Sequence, residues 1–187
     1  VVASCAEGMA GHNADLALLF ISPHHADHAS EIADTVRSGL GAGVLLGVSA
    51  SGVLGGAIEL EDSPGISAIA LRMPGVQVTP FSSDQFMPVD DTDDGIDRLG
   101  ATIGVPDGPG PLRSLFLFAD PYTTPMIKLL PALNRALARG HGFSSAFPRT
   151  PIIGGIASAG RAAGGNTLIL DGRVLRSVEM EVPLGIA

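Results

Sequence analysis

The chain lacks tryptophan, has one cysteine and one tyrosine, and takes only 4% of its 187 residues from the aromatics. A core without large rings must be built from Ala, Val, Ile and Leu, which suits strands buried against helices. Cys5 on its own can form no internal disulfide, and Cys-rich zinc modules are excluded with it. That cysteine use is compatible with a reducing compartment, and the expectation is a cytoplasmic protein. Runs of Lys or Arg are missing as well. The 11 basic residues are scattered singly in a chain of net charge −8, whose field repels phosphate backbones and anionic lipid. Nucleic acid and membrane surfaces are therefore excluded as partners. Ser38–Ile58 is uncharged over 21 residues, yet its seven Gly and three Ser make it two short strands around a turn rather than a membrane span.

What is present describes a packed globule. Apolar residues make up 45% and charged residues 16%. A chain of this length forms one large domain or two closely packed halves, burying roughly 70% of its unfolded surface. Leu16–Ile21 is an unbroken apolar run, the pattern of a strand buried on both faces. Ser22 and Pro23 then read as a helix N-cap and first position, with Ala26, Ala29, Ile32, Ala33, Val36 and Leu40 at helical spacing. Gly39 and Gly41 stop that helix. Strands follow at 44–48, 57–61 and 66–72, with a further short one near 76–79.

The order returns about a hundred residues later. Leu115–Ala119 is the apolar strand, Asp120 and Pro121 match Ser22 and Pro23, and a helix carries Met126, Ile127, Leu130, Leu133 and Leu137. Pro131 inside it predicts a kink or break. Strands are expected at 151–156, 167–171 and 173–178. The connections Ser49–Gly56 and Ser158–Gly165 also match, glycine for glycine, as Gly47, Ala50, Ser51, Gly52, Gly55, Gly56 against Gly154, Ala157, Ser158, Gly160, Gly164, Gly165. Internal repeats at about 16–80 and 114–178 follow, joined by an exposed acidic linker over 82–111. The fold class is α/β, with two repeated β-α-β-β units, mixed sheets and αββα-like layering; the alternative is one continuous mixed sheet.

Several motifs fail on inspection. The glycine segment 47–56 has no Gly-Lys-Ser/Thr and leads into a strand, so it is no P-loop. The glycines at 39, 41 and 43 follow a helix instead of opening one, which removes the dinucleotide fingerprint. Around Ser49 the last position of Gly-x-Ser-x-Gly is Ser51, so there is no nucleophile elbow. An EF-hand loop beginning at Asp90 would need its bidentate Glu at Ala101. On a helix from Pro23, His24 and His28 lie one turn apart with Glu31 beyond, but no fourth ligand is identifiable, and no metal or cofactor is expected.

The Gly/Ser connections remain. Gly allows close approach to exposed N–H groups and Ser supplies hydroxyls, so a pair of such loops can receive a carboxylate or an amide. The ligand-binding candidates are Ser22, His24, His25, Ser49, Ala50, Ser51, Gly52, Asp120, Ser158, Gly160 and Asn166. A competing reading is a hydrolase or transferase that uses Ser49 or Ser51 with a His from the 24–28 segment; another is a non-catalytic interaction scaffold.

A family resemblance joins these residues. Leu18-Leu19-Phe20-Ile21-Ser22-Pro23-His24-His25, then Leu45–Gly56 with Glu59, Leu71–Val78, Ile153-Gly154-Gly155, Ala157-Ser158, and Gly164–Thr167 with Asp171-Gly172, resemble the N-terminal FIST domain. The resemblance runs from about Leu16 to Val174. It implies a sensory, non-enzymatic module that binds small ligands such as amino acids. Such modules stand alone or joined to signalling domains, among them histidine kinases and chemoreceptors, or to an F-box in eukaryotes. On that pattern residues 1–187 are a single N-type domain, a C-terminal FIST half or signalling domain is the partner, and that C-terminal half is absent here. The tail Arg176–Ala187 departs from the glycine-rich apolar strand that the pattern leads one to expect.

Overall fold

The computed structural model describes residues 1–85, 88–105, 114–139, 150–175 and 183–186. They fall into two compact units, residues 1–78 with 156–178, and residues 79–155 with 179–187.

The first unit is built on a strand–helix–strand crossover. β1 (Leu16–Ile21) and β2 (Val44–Ser49) are parallel, in register from Leu16 opposite Val44 to Ile21 opposite Ser49. Between them a 3-10 turn over Pro23–His28 feeds α2 (Ala29–Leu40), which follows the short helix α1 (Val2–Gly8) in chain order. Ala29, Ala33, Val36 and Leu40 recur at helical spacing, and all four are buried against Leu19, Ile21 and Leu45 of the sheet. Gly41 ends α2 at φ +54°, a left-handed position that a Cβ would disfavour.

β5 (Ile66–Leu71) runs antiparallel to β1. On the other side β9 (Leu168–Leu170) runs antiparallel to β2, and β10 (Arg173–Leu175) antiparallel to β9. The sheet order is β10-β9-β2-β1-β5. The Asp171-Gly172 turn joining β9 to β10 docks on α2, where Ser30 Oγ donates to the Gly172 carbonyl at 2.8 Å.

Ser49–Gly56 is more than a connection. Ser49 is the last residue of β2, and β3 (Gly52–Gly55) pairs antiparallel with β4 (Ile58–Glu61) as a separate two-stranded hairpin. Two residues, Gly56 and Ala57, make that turn, with Gly56 at φ +61°. No strand forms at 76–79. Met73 to Val76 close a turn around Gly75, the segment beyond is irregular, and the next strand is β6 (Pro80–Ser82).

In the second unit β6, β7 (Leu115–Ala119), β8 (Ile152–Ile156) and β11 (Pro183–Ile186) form a sheet in the order β6-β11-β7-β8. β11, from the tail, lies antiparallel to both β6 and β7. The described strands thus form three sheets rather than one continuous sheet. Mixed parallel and antiparallel pairing with helices makes the fold α/β, and the sheets do not close.

Three expectations change in this unit. The helix after β7 does not begin at Asp120-Pro121. α4 spans Met126–Arg139, and the Pro125 carbonyl accepts from Lys128 and Leu129 N–H, so the entry is Thr124-Pro125, a second polar–Pro pair four residues on. Pro131 does not break α4. The carbonyl it leaves without a helical donor belongs to Ile127, whose side chain is 88% exposed, on a face where water can take that bond. The third change lies in the acidic stretch, which carries α3 (Asp93–Thr102). Thr92 Oγ1 caps it by accepting from Gly95 N–H at 3.2 Å. Ile96, Leu99 and Ile103, spaced three and four apart, are buried with Leu129, Leu133 and Leu137 of α4. Burying each such side chain contributes about 1.5–3 kcal/mol, enough to draw an acidic segment into helix.

Candidate functional site

The carboxyl ends of parallel strands, where helices begin, are where α/β sheets hold ligands. At that end of β1 and β2 the first unit gathers every sequence candidate except Asp120. Ser22, His24 and His25 follow β1; Ser49, Ala50, Ser51 and Gly52 follow β2. Ser158, Gly160 and Asn166 arrive on the segment before β9, whose register sets Val48 opposite Leu168 and so brings Thr167 to Ser49.

The hydroxyls divide into two kinds. Ser49 is buried; its Oγ accepts from Thr167 N–H at 2.8 Å, its N–H donates to the Thr167 carbonyl, and its carbonyl accepts from Ser158 N–H. Ser22 is buried as well, and its Oγ accepts from Gly65 N–H at 3.0 Å. It does not cap the turn that follows, contrary to the sequence pattern, because Gly65, next to β5, takes that hydroxyl. Ser51 and Ser158 are exposed. Ser158 Oγ accepts from Ser51 N–H at 3.1 Å, and the two hydroxyl oxygens are 3.4 Å apart although 107 residues separate them in sequence. Ala50 N–H donates back to the Ile21 carbonyl, which ties the end of β2 to that of β1.

The second connection closes on itself. Gly160 N–H donates to Oδ1 of the buried Asn166 at 2.7 Å, and Gly165 N–H to the Ala162 carbonyl. The backbones at Gly160 and Gly165 touch so closely that a Cβ on Gly160 would lie 2.4 Å from the Gly165 carbonyl carbon. Glycine is required here for space.

The histidines occupy a 3-10 turn of about three residues per turn, so His24 and His28 do not stack as they would one α-helical turn apart. His24 is exposed and His25 half-buried; His28 Nδ1 lies 3.4 Å from Glu31 Oε2 at the surface. Among the described residues no group of three or more His, Cys, Asp or Glu could hold a metal ion. Nor does any hydrogen bond join Ser49 or Ser51 to His24, His25 or His28; the serine hydroxyls have the partners given above.

Asp120 belongs to the second unit. It is buried directly after β7, and its Oδ1 accepts from Tyr122 N–H at 3.0 Å. The acidic cluster in that unit is occupied by arginine. Arg139 bonds Asp93 and Asp97, Arg135 bonds Asp93 and the Asp91 carbonyl, and Arg98 bonds Asp90. The Thr92 hydroxyl and N–H hold the Asp90 carboxyl below the ordinary carboxylate range, and the hydrogen bond to Asp97 raises Arg139 above its ordinary value. Sequence reading missed Gly65 and Thr167, the backbone partners that commit Ser22 and Ser49. Both pairings are long-range and left no local signal.

The carboxyl end of the β1–β2 pair is thus a polar corner framed by Gly/Ser segments. The chain belongs to the FIST family: the FIST N domain matches residues 15–178. FIST domains are a sensory family of signal transduction. The chain is similar to an uncharacterized protein of Mycobacterium tuberculosis, 28% identical over 175 residues that cover 91% of this chain and 39% of the relative. An uncharacterized protein of Mycobacterium bovis is 29% identical over 170 residues, 90% of this chain and 39% of that protein. The chain thus spans about two fifths of the length of these curated relatives. No helix among the described residues is long and apolar enough to cross a membrane.

Proposed function

We propose that the domain is the ligand-binding part of a cytoplasmic signalling protein, and that it takes a small polar molecule of the amino-acid class at the carboxyl end of β1 and β2. The observation that carries this reading is the Ser51–Ser158 pair: two exposed hydroxyls from distant segments, held together, while the hydroxyls of the buried Ser22 and Ser49 are spent on backbone. Such a corner offers exposed hydrogen-bonding groups, which suits binding of a polar solute. The hydrolase or transferase reading loses support, since Ser49 is buried against Thr167 and the Ser51 hydroxyl bonds serine rather than histidine. Asp120, in the other unit, is left out of this site. The partner in signalling is a C-terminal FIST half or an attached signalling domain, in keeping with relatives about two and a half times as long.

Isothermal titration of the full-length protein against the twenty amino acids tests it. Saturable heat for one or a few is the expected result; no heat above background for any removes the amino-acid reading.

A further inference from the structure

Arg161 stands on the second connection, three residues beyond Ser158, and differs from the arginines on the helices. Arg37, Arg98, Arg135 and Arg139 each have an aspartate partner. Arg161 is exposed and has no ion pair or hydrogen-bonding partner for its guanidinium among the described residues. Its backbone, by contrast, is fixed on both sides. Gly160 N–H is bound by the buried Asn166 side chain, and the Ala162 carbonyl accepts from Gly165 N–H. An unspent guanidinium on a pinned backbone, in a chain of net charge −8, has little of its binding capacity used inside the fold.

Ser158, three residues before Arg161 on the same segment, and its partner Ser51 supply the complementary chemistry. Ser158 Oγ already accepts from Ser51 N–H, and whichever hydroxyl donates across the 3.4 Å gap, the pair has two hydrogens and uses one. One O–H is always left to donate outward. A cationic fork plus a hydroxyl donor recognises an anionic oxygen pair, and a single guanidinium within a strongly acidic protein suits a monoanion better than a dianion. We infer that Arg161, with Ser51 and Ser158, anchors the carboxylate of the ligand. This rests on the reading of the corner as a small-ligand site and specifies which end of the ligand it holds.

Saturation-transfer NMR on the full-length protein, with propionate and propionamide as probes, tests the anchor. Propionate should give a signal that weakens with added salt, and propionamide a signal at least about tenfold smaller, the size expected when a charge-assisted hydrogen bond is lost. Arg161→Gln should abolish the propionate signal. Arg161→Lys should retain part of it, since a point charge replaces a fork. Both changes are at the surface, and an unchanged thermal midpoint confirms folding. No propionate signal, equal signals from the two probes, an undiminished signal in Arg161→Gln, or displacement of propionate by lower concentrations of inorganic phosphate would each overturn the inference. If amino acids bind the wild type and Arg161→Gln equally well, the anchor fails while the ligand site stands. If propionate binds through Arg161 but no amino acid does, the anchor stands and the amino-acid reading falls.

Discussion

The two Gly/Ser connections look interchangeable in sequence, yet they hold their chains by different means. Residues 49–56 end one strand and begin another, and a hairpin ladder from Gly52 opposite Glu61 to Gly55 opposite Ile58 fixes their course. Residues 157–165 form no ladder; a buried amide and a glycine-to-glycine contact close that loop. Glycine therefore does two jobs here. Gly56 is needed for its left-handed backbone, with nothing within 4 Å of where its Cβ would stand, whereas Gly160 is needed for space. The serines divide the same way, with Ser49 spent inside the fold and Ser51 facing solvent.

That contrast is open to attack by substitution, and the largest effect is expected at Gly160→Ala. Its Cβ would overlap backbone that cannot rotate away, at a cost of about 3 kcal/mol, read as a lowered urea midpoint with unchanged slope. Ser49→Ala comes next. It leaves the buried Thr167 N–H without an acceptor and should cost about 1–3 kcal/mol by the same measurement. Gly56→Ala meets no atoms and carries only the left-handed backbone term, about 1 kcal/mol. Gly56→Ala proving more damaging than Gly160→Ala would reverse the assignment of roles. Ser51→Ala, at an exposed position, should stay within about 0.5 kcal/mol of wild type in stability while weakening ligand binding.

The smallest effect concerns the other unit, where charge rather than glycine ties one segment to another. The folded Asp90 carboxyl is held below its ordinary value, so its contribution is fully present above the unfolded range near about pH 3.9. It is lost as pH falls through the lower folded value. The Asp90 contribution should therefore be constant from pH 7 down to the ordinary carboxylate range and be lost below it. Asp90→Asn should flatten that limb slightly, and an Asp90→Asn curve identical to wild type would remove the coupling.

Much of the first unit was legible because its signals are local. The apolar run 16–21, Pro23 opening the turn ahead of α2, the spacing of Ala29, Ala33, Val36 and Leu40, and Gly41 at the stop each dictate structure within a few residues. β3 was hidden because its ladder partner, not its own Gly-Val-Leu-Gly composition, makes it a strand. The start of α4 was misread because two polar–Pro pairs compete within six residues, and only the fold selects Thr124-Pro125. α3 had a local signal, Thr92 ahead of Ile96, Leu99 and Ile103, masked by the five aspartates around it. At the candidate site the sequence pointed to the serines, but not to how their hydroxyls divide between backbone and solvent. Gly65 and Thr167, which decide it, lie 43 and 118 residues from their partners.

The account stands or falls on the pair Ser51 and Ser158. Amide chemical-shift mapping on the full-length protein, with the amino acid that gives the largest titration heat, is the direct measurement. The account predicts shifts concentrated at residues 22–25, 50–52 and 158–161, and a several-fold weaker affinity in Ser158→Ala. Shifts confined to other residues, or an affinity unaltered by that substitution, would contradict it.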